Sequence, residues 1–519
     1  MLLSYLITLS VWSYAAEYSD DLVVNKYASQ DGNTDTNKYG QEIALTLNIN
    51  QTILLALGKN YGVKLNRLSN QLSKWDIEIE EGAFEPSISA SYLLRNLHSI
   101  DIDIDSQQIT ARNQIKTAEI GLNGYTPWGT SYSISFDSNS TKVNSTEVSQ
   151  TSSFSSTIQV TQPLLQGAGK RAVYAGVRLA KNRDEISSLI FRQQILSFVS
   201  QVINAYTDCY AAKLALDVGR ENHLLAQKTL DNQNKRVALG NSAQFDTLRP
   251  AASVISREEA ILNAEKRLRR AENRLKMLIA DDAEELFALK LQLKALPQTE
   301  FLLPNVYADF KQALLLRPDY KLSKLNINGY EIELARDRQR LLPKLDLVMR
   351  HQQFGQVNGL AVSDAYSSYR HLGAKDNYIG LEFSMPLSRK ILKGRVAKTA
   401  LALERQKLDA TQIKQHILFE LDTSAFDMQH DWQRIDVTNQ SAELAQQALT
   451  AEQKKMAVGR STNFYILDLQ NRLANAKNQQ VNAYASYYQA LTEYQRQKGT
   501  LLDVYDIQLS DFTSGIPLN

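Results

Sequence analysis

Two hydrophobic periods alternate along this chain, and each switch between them marks an expected element. Between Leu45 and Glu81, Leu54, Leu57, Leu65, Leu68 and Leu72 keep helical spacing, and Pro86 ends the run. Strand alternation follows at once, with Ile88, Ala90, Tyr92 and Leu94 on one face and Ser87, Ser89 and Ser91 on the other. Further on, Ile120 and Leu122, then Tyr132, Ile134 and Phe136, lie around Pro127-Trp128-Gly129, a hairpin signal. The Ser/Thr/Asn tract from Ser138 to Ser153 reads as a surface loop. Ser156, Ile158 and Val160 then alternate with Thr157, Gln159 and Thr161 up to Pro163. In the second half Leu345, Leu347 and Met349 alternate with Asp346, Val348 and Arg350. Ile379, Leu381, Phe383 and Met385 alternate with Tyr378, Gly380, Glu382 and Ser384, up to Pro386. Each half thus predicts two strands of roughly 10 residues, the length a tilted strand needs to cross a bilayer. A half-buried soluble strand alternates in the same way. The stretch Thr117 to Ser138 has no counterpart in the second half. It is expected as an external hairpin, with extra strands as the alternative.

The helical signal is stronger. No proline occurs between Pro163 and Pro250 or between Pro386 and Pro517, and Gly394 and Gly459 bracket 64 residues without a glycine. Heptad-like rows run through Leu196, Val199, Ile203 and Tyr206, through Leu268, Ala271, Leu275 and Leu278, and through Ile417, Leu421, Ala425 and Met428. A helix of that length measures roughly 100 Å at 1.5 Å per residue, which predicts a rod or tube packed as coiled coil. Gly240 and Gly459 stand where the heptads break, and Ser242 and Ser461 follow two residues later. Glycine closes a helix in the left-handed conformation and serine is suited to cap the next, so each row folds into a helical hairpin with a Gly-x-Ser tip.

The same order occurs twice. Ala56-Leu57 and Phe84-Glu85-Pro86 return as Ala313-Leu314 and Leu341-Leu342-Pro343, 257 residues on. Gln162-Pro163-Leu164 returns as Met385-Pro386-Leu387 after 223 residues, and Val237 to Ser242 as Met456 to Ser461 after 219. Phe245 and Leu248 match Phe464 and Leu467 at that same offset. A unit this long is a duplicated domain, since solenoid repeats are far shorter. The expected organisation is a secretory signal at 1–15, a polar segment at 16–44 and a first repeat at 45–280 with strands within 86–162. A linker at 281–304, a second repeat at 305–498 with strands within 343–386, and a C-terminal segment at 499–519 complete it.

Composition narrows the class. Of 519 residues 43% are hydrophobic and 22% charged, and the net charge of +2 argues against nucleic acid as an obligate partner. No apolar run of membrane-helix length follows the N-terminus, which leaves a β-barrel open because barrel strands never look strongly apolar. Leu2 to Trp12 make a short apolar core before Ser13-Tyr14-Ala15, as in a secretory signal. The single cysteine, Cys209, reads as a small buried helix residue. The six histidines are dispersed, and Asp101, Asp103 and Asp105 lack the glycine of a calcium loop, so they read as a solvated external loop. No metal, cofactor or catalytic constellation is expected, and the chain is not expected to be an enzyme.

A signal, a duplicated unit, bilayer-length strands and proline-free hairpins with glycine tips together resemble the TolC family of outer membrane efflux and secretion channels. The residues that carry the resemblance are Leu45-Thr46-Leu47, Ala56-Leu57 and Pro86, then Arg317-Pro318 and Leu342-Pro343-Lys344-Leu345. The junctions at Pro163 and Pro386 and the tip Val458-Gly459-Arg460-Ser461-Thr462 with Leu467-Asp468 belong with them. The resemblance implies an α+β membrane protein: a homotrimer whose four strands per chain form a 12-stranded β-barrel, continued by a long α-helical coiled-coil barrel. It implies a passive exit duct in the outer membrane of a Gram-negative bacterium, serving a tripartite efflux pump or type I secretion system for small molecules or polypeptides. Its implied partners are a periplasmic adaptor, an inner-membrane pump of RND or ABC type, and outer membrane lipid. The tips Gly240, Asn241, Ser242, Gly459, Arg460 and Ser461 would contact the adaptor, and Asp246 and Asp468 match acidic residues that narrow the family's periplasmic entrance. Against the gate stands the reading that both are ordinary helix-surface aspartates. The competing function is a periplasmic coiled-coil adaptor or scaffold without a pore.

Overall fold

A computed structural model describes residues 43–102, 108–144, 148–281, 289–297, 301 and 303–508. The expected signal at 1–15, almost all of the polar segment at 16–44, Asp103 and Asp105, and parts of the segments at 281–304 and 499–519 lie outside the described residues. The chain opens with β1 (Ile43–Leu47), α1 (Ile49–Lys59) and α2 (Tyr61–Gly82). Four strands follow, β2 (Ser87–Ile102), β3 (Gln108–Tyr125), β4 (Ser131–Asn144) and β5 (Val148–Pro163). Next come α3 (Ala175–Ala238) and α4 (Leu248–Ile279), then β6 (Leu289–Leu293). The second half holds α5 (Val306–Leu316), α6 (Pro318–Gln339), β7 (Lys344–Asn358), α7 (Val362–Leu372) and β8 (Ala374–Ser384). It ends with α8 (Lys390–Ala457) and α9 (Asn463–Lys498). No described helix is long and apolar enough to cross a membrane.

The repeat is visible in element lengths. The pair α1 and α2 has 11 and 22 residues, and so has α5 and α6, each beginning and ending 257 positions after its counterpart. The single helix expected from Leu45 to Glu81 is instead a strand and two helices. Leu45 to Leu47 pair in parallel with Leu291 to Leu293 of β6. Asn48 then caps α1 with a reciprocal capping box to Gln51, and Asn60, in extended conformation, ends it.

The sheet also departs from expectation. All six long strands form one antiparallel sheet in the order β2-β3-β4-β5-β7-β8. The stretch Thr117 to Ser138 is therefore no external hairpin: it supplies the end of β3 and the start of β4, in the middle of the sheet. The Ser/Thr/Asn tract is no loop either, since Ser138–Asn144 and Val148–Ser153 pair with each other. Asp101 lies in β2 opposite Ile109 rather than in a loop. Serine and threonine sit comfortably on a wet strand face, so a tract lacking apolar alternation still makes a ladder.

Register sorts the sheet into two unlike faces. Ile88, Ala90, Tyr92 and Leu94 of β2 stand opposite Leu122, Ile120, Ala118 and Lys116 of β3. The row continues through Ile134 and Phe136 on β4, then Val160 and Ile158 on β5. It ends on Leu347 and Met349 of β7 and Leu381 and Ile379 of β8. Lys116 apart, these residues form one apolar band across all six strands, and Ile88, Tyr92, Ile120, Phe136, Ile158, Met349, Ile379 and Leu381 are exposed. The opposite face carries Ser87, Ser89, Ser133, Ser135, Thr157 and Gln159. There Glu119 faces Asp137 and Asp346 faces Glu382, pairings of like charge; Asp346 is buried and balanced by Lys344 at 3.1 Å.

The chain divides into two units. One gathers Leu68–Gln193 and Leu314–Ile417, with the sheet and the helix segments that feed it. Polar contacts link neighbouring helices there: Ser73 to Asp184 at 2.8 Å, Asn182 to Leu325 at 3.1 Å and Thr399 to Asp337 at 2.8 Å. The other unit gathers residues before 68, Gln194–Ala313 and the chain from Leu418 on. Its core holds Leu421, Ala425 and Met428 of α8 against Ala483, Tyr487 and Tyr494 of α9. Cys209 is buried on α3, and that burial pushes its thiol up to about 12.

Tyr206, fully buried on α3, sets its hydroxyl 2.7 Å from the Lys294 carbonyl and 3.1 Å from that of Leu47. It thereby anchors the β1–β6 pair to the helices. Burial of Asp309 by itself would raise its carboxyl, but the Lys498 ammonium at 2.6 Å, the Tyr494 hydroxyl and the Asn305 amide hold it below its ordinary value. Tyr206→Phe should lower stability by about 1–3 kcal/mol, read as the thermal unfolding midpoint in detergent. The Asp309 contribution is present above about pH 4 and lost as pH falls through the depressed folded value. Asp309→Asn should therefore flatten the acid limb of the stability profile and leave a smaller difference from wild type at low pH.

Candidate functional site, the hairpin tips

Both long hairpins end in the same turn. Gly240 and Gly459 have φ of 75° and 78°, the left-handed region that favours glycine. Gly240 N–H donates to Val237 at 2.9 Å and Asn241 N–H to Arg236 at 2.8 Å. Gly459 N–H donates to Met456 at 3.1 Å and Arg460 N–H to Lys455 at 2.9 Å. This doubled bond satisfies carbonyls that the helix end leaves open. A Cβ added at either glycine would meet open space, so backbone conformation rather than crowding requires glycine here.

The two serines do not cap the returning helices as expected. The caps fall on Thr247 for α4, after the short turn Gln244–Thr247 that begins at Ala243, and on Thr462 for α9, and none of the three makes a side-chain cap bond. Ser242 Oγ donates instead to Asp246 Oδ2 at 2.7 Å, and Ser461 Oγ to Glu452 Oε1 at 2.6 Å. A carboxylate lies within reach of each hydroxyl, and the resulting charge-assisted bond is stronger than one between neutral groups. The Glu452 carboxyl is held below its ordinary range by Ser461 first and by Lys455 second.

Asp246 is exposed in the turn Gln244–Thr247 and also accepts the Ala243 N–H at 3.2 Å. Asp468 is half-exposed on α9 and paired with Arg472 of the next helical turn at 2.8 Å. Within one chain each aspartate thus has a local partner. Asn241 and Arg460 are exposed, Ser242 and Ser461 half-buried. Around them the tips expose Leu239, Phe245, Leu248, Val458, Phe464 and Tyr465.

Sequence reading missed the residues that bind the two tips together. Gln233 of α3 is 3% exposed, and its amide accepts from Asn463 Nδ2 at 2.5 Å and donates to Ser242 Oγ at 2.6 Å. Four residues back on α3, Thr229 receives Gln470 Nε2 at 3.0 Å. Arg249 also lies 5.1 Å from the Phe464 ring centre, a cation–π contact between the tips. The spacing of Leu225, Thr229 and Gln233, four apart on α3, and of Asn463 and Gln470, seven apart on α9, was the available signal.

Gln233→Leu keeps the volume but strands the Asn463 amide and the Ser242 hydroxyl. It should cost about 1–3 kcal/mol locally, read as faster protease cleavage at residues 239–243 and 459–462 with the rest of the chain unaffected. Cleavage at the wild-type rate would show that the tips are held by other contacts.

Residues 129–281 match the family model described as outer membrane efflux protein. No curated protein matches the chain by sequence. Among solved structures, the Campylobacter jejuni CmeC outer membrane channel is similar at TM-score 0.67 and 14% identity, over 91% of this chain and 90% of that one. The outer-membrane channel OprN is similar at 0.66 and 14%, over 87% and 89%. The outer membrane protein VceC of Vibrio cholerae is similar at 0.64 and 13%, over 87% and 96%. Residues 129–281 are thus similar to the outer membrane efflux protein family, and the chain shares the fold of these outer membrane channels.

Proposed function

We propose that this protein is the outer membrane channel of a tripartite efflux pump or type I secretion system. It is a passive duct for small molecules or polypeptides across the periplasm and outer membrane of a Gram-negative bacterium. The observation that carries this reading is the exposed apolar band crossing all six strands, with a polar face behind it. That pairing of faces is what a lipid-embedded barrel requires. A periplasmic adaptor or scaffold has no use for such a band.

A homotrimer follows from the edges. Strands β2 and β8 end the sheet, and lipid does not tolerate an open edge. Pairing β8 of one copy with β2 of the next closes the barrel. With six strands in this sheet, three copies bring eighteen strands rather than twelve. Exposed Leu65, Leu68, Leu72, Trp75 and Ile79 make a heptad stripe on α2 suited to a neighbouring copy's helix. Light scattering of the detergent-extracted protein should give the trimer mass, and a monomer would overturn the closure.

The tips, with Gly240, Asn241, Ser242, Gly459, Arg460, Ser461 and the exposed apolar residues beside them, are read as the contact with a periplasmic adaptor that links to an inner-membrane pump. Leu239→Asp with Val458→Asp should abolish efflux while leaving trimer and membrane level unchanged. Efflux at the wild-type rate would place the adaptor elsewhere. In the trimer Asp246 and Asp468 each become a ring of three carboxylates at the periplasmic entrance, favouring cations and admitting block by multivalent cations. Asp246→Ala with Asp468→Ala should shrink the reversal potential of single channels in planar bilayers and weaken that block. The wild-type preference itself should fade near 1 M salt, where the Debye length is about 3 Å. Unchanged selectivity in the double variant would make both aspartates ordinary surface residues.

A further inference from the structure

The two faces of the sheet differ in charge as well as in polarity. On the water-side face the strands carry Glu119, Asp137, Asp346, Asp376 and Glu382. Among the described residues, the face of the apolar band carries no carboxylate on the six strands. Their Lys and Arg residues there are Arg112, Lys116, Lys142 and Lys375. The four make no ion pair among the described residues, whereas Arg350 on the other face pairs with Asp376 at 3.5 Å.

Three of these cations, Arg112, Lys116 and Lys142, lie on adjacent rows. Lys116 is the first residue of β3 beyond the apolar Leu122, Ile120 and Ala118, toward the β2–β3 turn. Lys142 of β4 stands opposite Gln114, so it is diagonal to both Lys116 and Arg112. Such diagonal neighbours lie about 7–8 Å apart, within reach of one another's long side chains. Arg112 in turn stands opposite His98. Gathering three fixed positive charges without a carboxylate is unfavourable for the chain alone. It is favourable where an anion layer begins at the edge of the apolar band.

The strands also overshoot the hydrocarbon. At 14 to 18 residues, β2 to β5 are longer than the 9–11 residues or so that cross it, and the excess lies beyond the band. On this same outward side α7 packs over β5 and β7. Tyr369 meets the Phe154 ring at 5.1 Å and Ser156 Oγ at 2.9 Å, and α7 brings Asp364, Arg370 and His371 with it. The outward surface of β3 and β4 thus passes from apolar to cationic within a few residues.

We propose that the outward face of β2–β4 beyond the apolar band, built around Arg112, Lys116 and Lys142, docks the phosphorylated headgroups of outer-leaflet lipid. The inference rests on the membrane reading above, because the band fixes the depth at which the cations lie. The cations sit where headgroup phosphates begin, and each Lys or Arg near an anionic surface is worth roughly a fivefold change in affinity.

The test uses the full-length channel and phosphatidylcholine vesicles with or without a minor fraction of lipid A, a bisphosphorylated glycolipid. Flotation with the vesicles reads insertion, and lipid A retained on the purified protein reads docking. Wild type should retain lipid A and ignore its dephosphorylated form. The triple variant Arg112→Gln, Lys116→Gln and Lys142→Gln should float normally but bind lipid A roughly a hundredfold more weakly. Arg95→Gln, on the water-side face, should bind as wild type does. Should the triple variant not insert, Lys116→Gln alone is expected to lose roughly fivefold. Three results would each overturn the inference: variants that keep wild-type affinity, an equal loss in Arg95→Gln, or inorganic pyrophosphate binding as tightly as lipid A. Wild type that floats but shows no preference for lipid A sinks this inference alone. Wild type that does not float sinks the membrane reading with it.

Discussion

A strand offers two faces, and the ladder register decides which residues share them. In this sheet five consecutive antiparallel ladders bring Ile88, Ile120, Ile134, Ile158, Met349 and Ile379 to one side. A slip of one residue in any strand would put Ser, Thr or Glu into the band and Leu or Ile among the carboxylates. Because all six strands obey one parity, a single displaced strand would break the apolar band with polar groups and set apolar side chains among the carboxylates. The sheet is thus fixed by the environment on its two sides more than by the β-propensity of its residues, many of which are serine.

The helices solve a different problem. They bury one stripe and expose another, so packing alone leaves sliding along the axis weakly opposed. Buried amides and hydroxyls supply that opposition. Between α3 and α9, Gln470 meets Thr229 and Gln233 meets Asn463. A buried amide tolerates only one partner position, because a shift by one helical turn would leave it unsatisfied. The polar pairs therefore set the register of α3 against α9, as a lone asparagine does in a coiled coil.

Much of this was legible in the sequence where one residue type serves one environment. The heptad rows through Leu196, Val199, Ile203 and Tyr206 and through Ile417, Leu421, Ala425 and Met428 are buried throughout. The tip glycines were legible because few residues other than glycine take a positive φ without strain. The middle of the sheet was not legible, because Ser138 to Ser153 are compatible with a loop, a wet strand face and the polar rim of a barrel alike. Strand β1 was hidden by its length: four apolar residues and a threonine before a helix fit either period. The serines were misassigned because a cap is a local rule, while Glu452, the partner of Ser461, lies nine residues away. Gln233 escaped because one glutamine in a helix looks like surface until its two partners are known.

The two halves keep α1–α2 and α5–α6 at identical lengths, yet the first half holds four sheet strands and the second two. The difference is a pair, and it has to be. Each strand carries the chain to the opposite side of the sheet, so an odd insertion would deliver the following long helix to the wrong side. A hairpin is the smallest insertion that returns the chain to its starting side. Sheet width in such a duplicated architecture is therefore quantised in hairpins, and the helical machinery never registers the change. A lineage can widen the sheet by lengthening one turn into two strands, without moving a residue of the long helices.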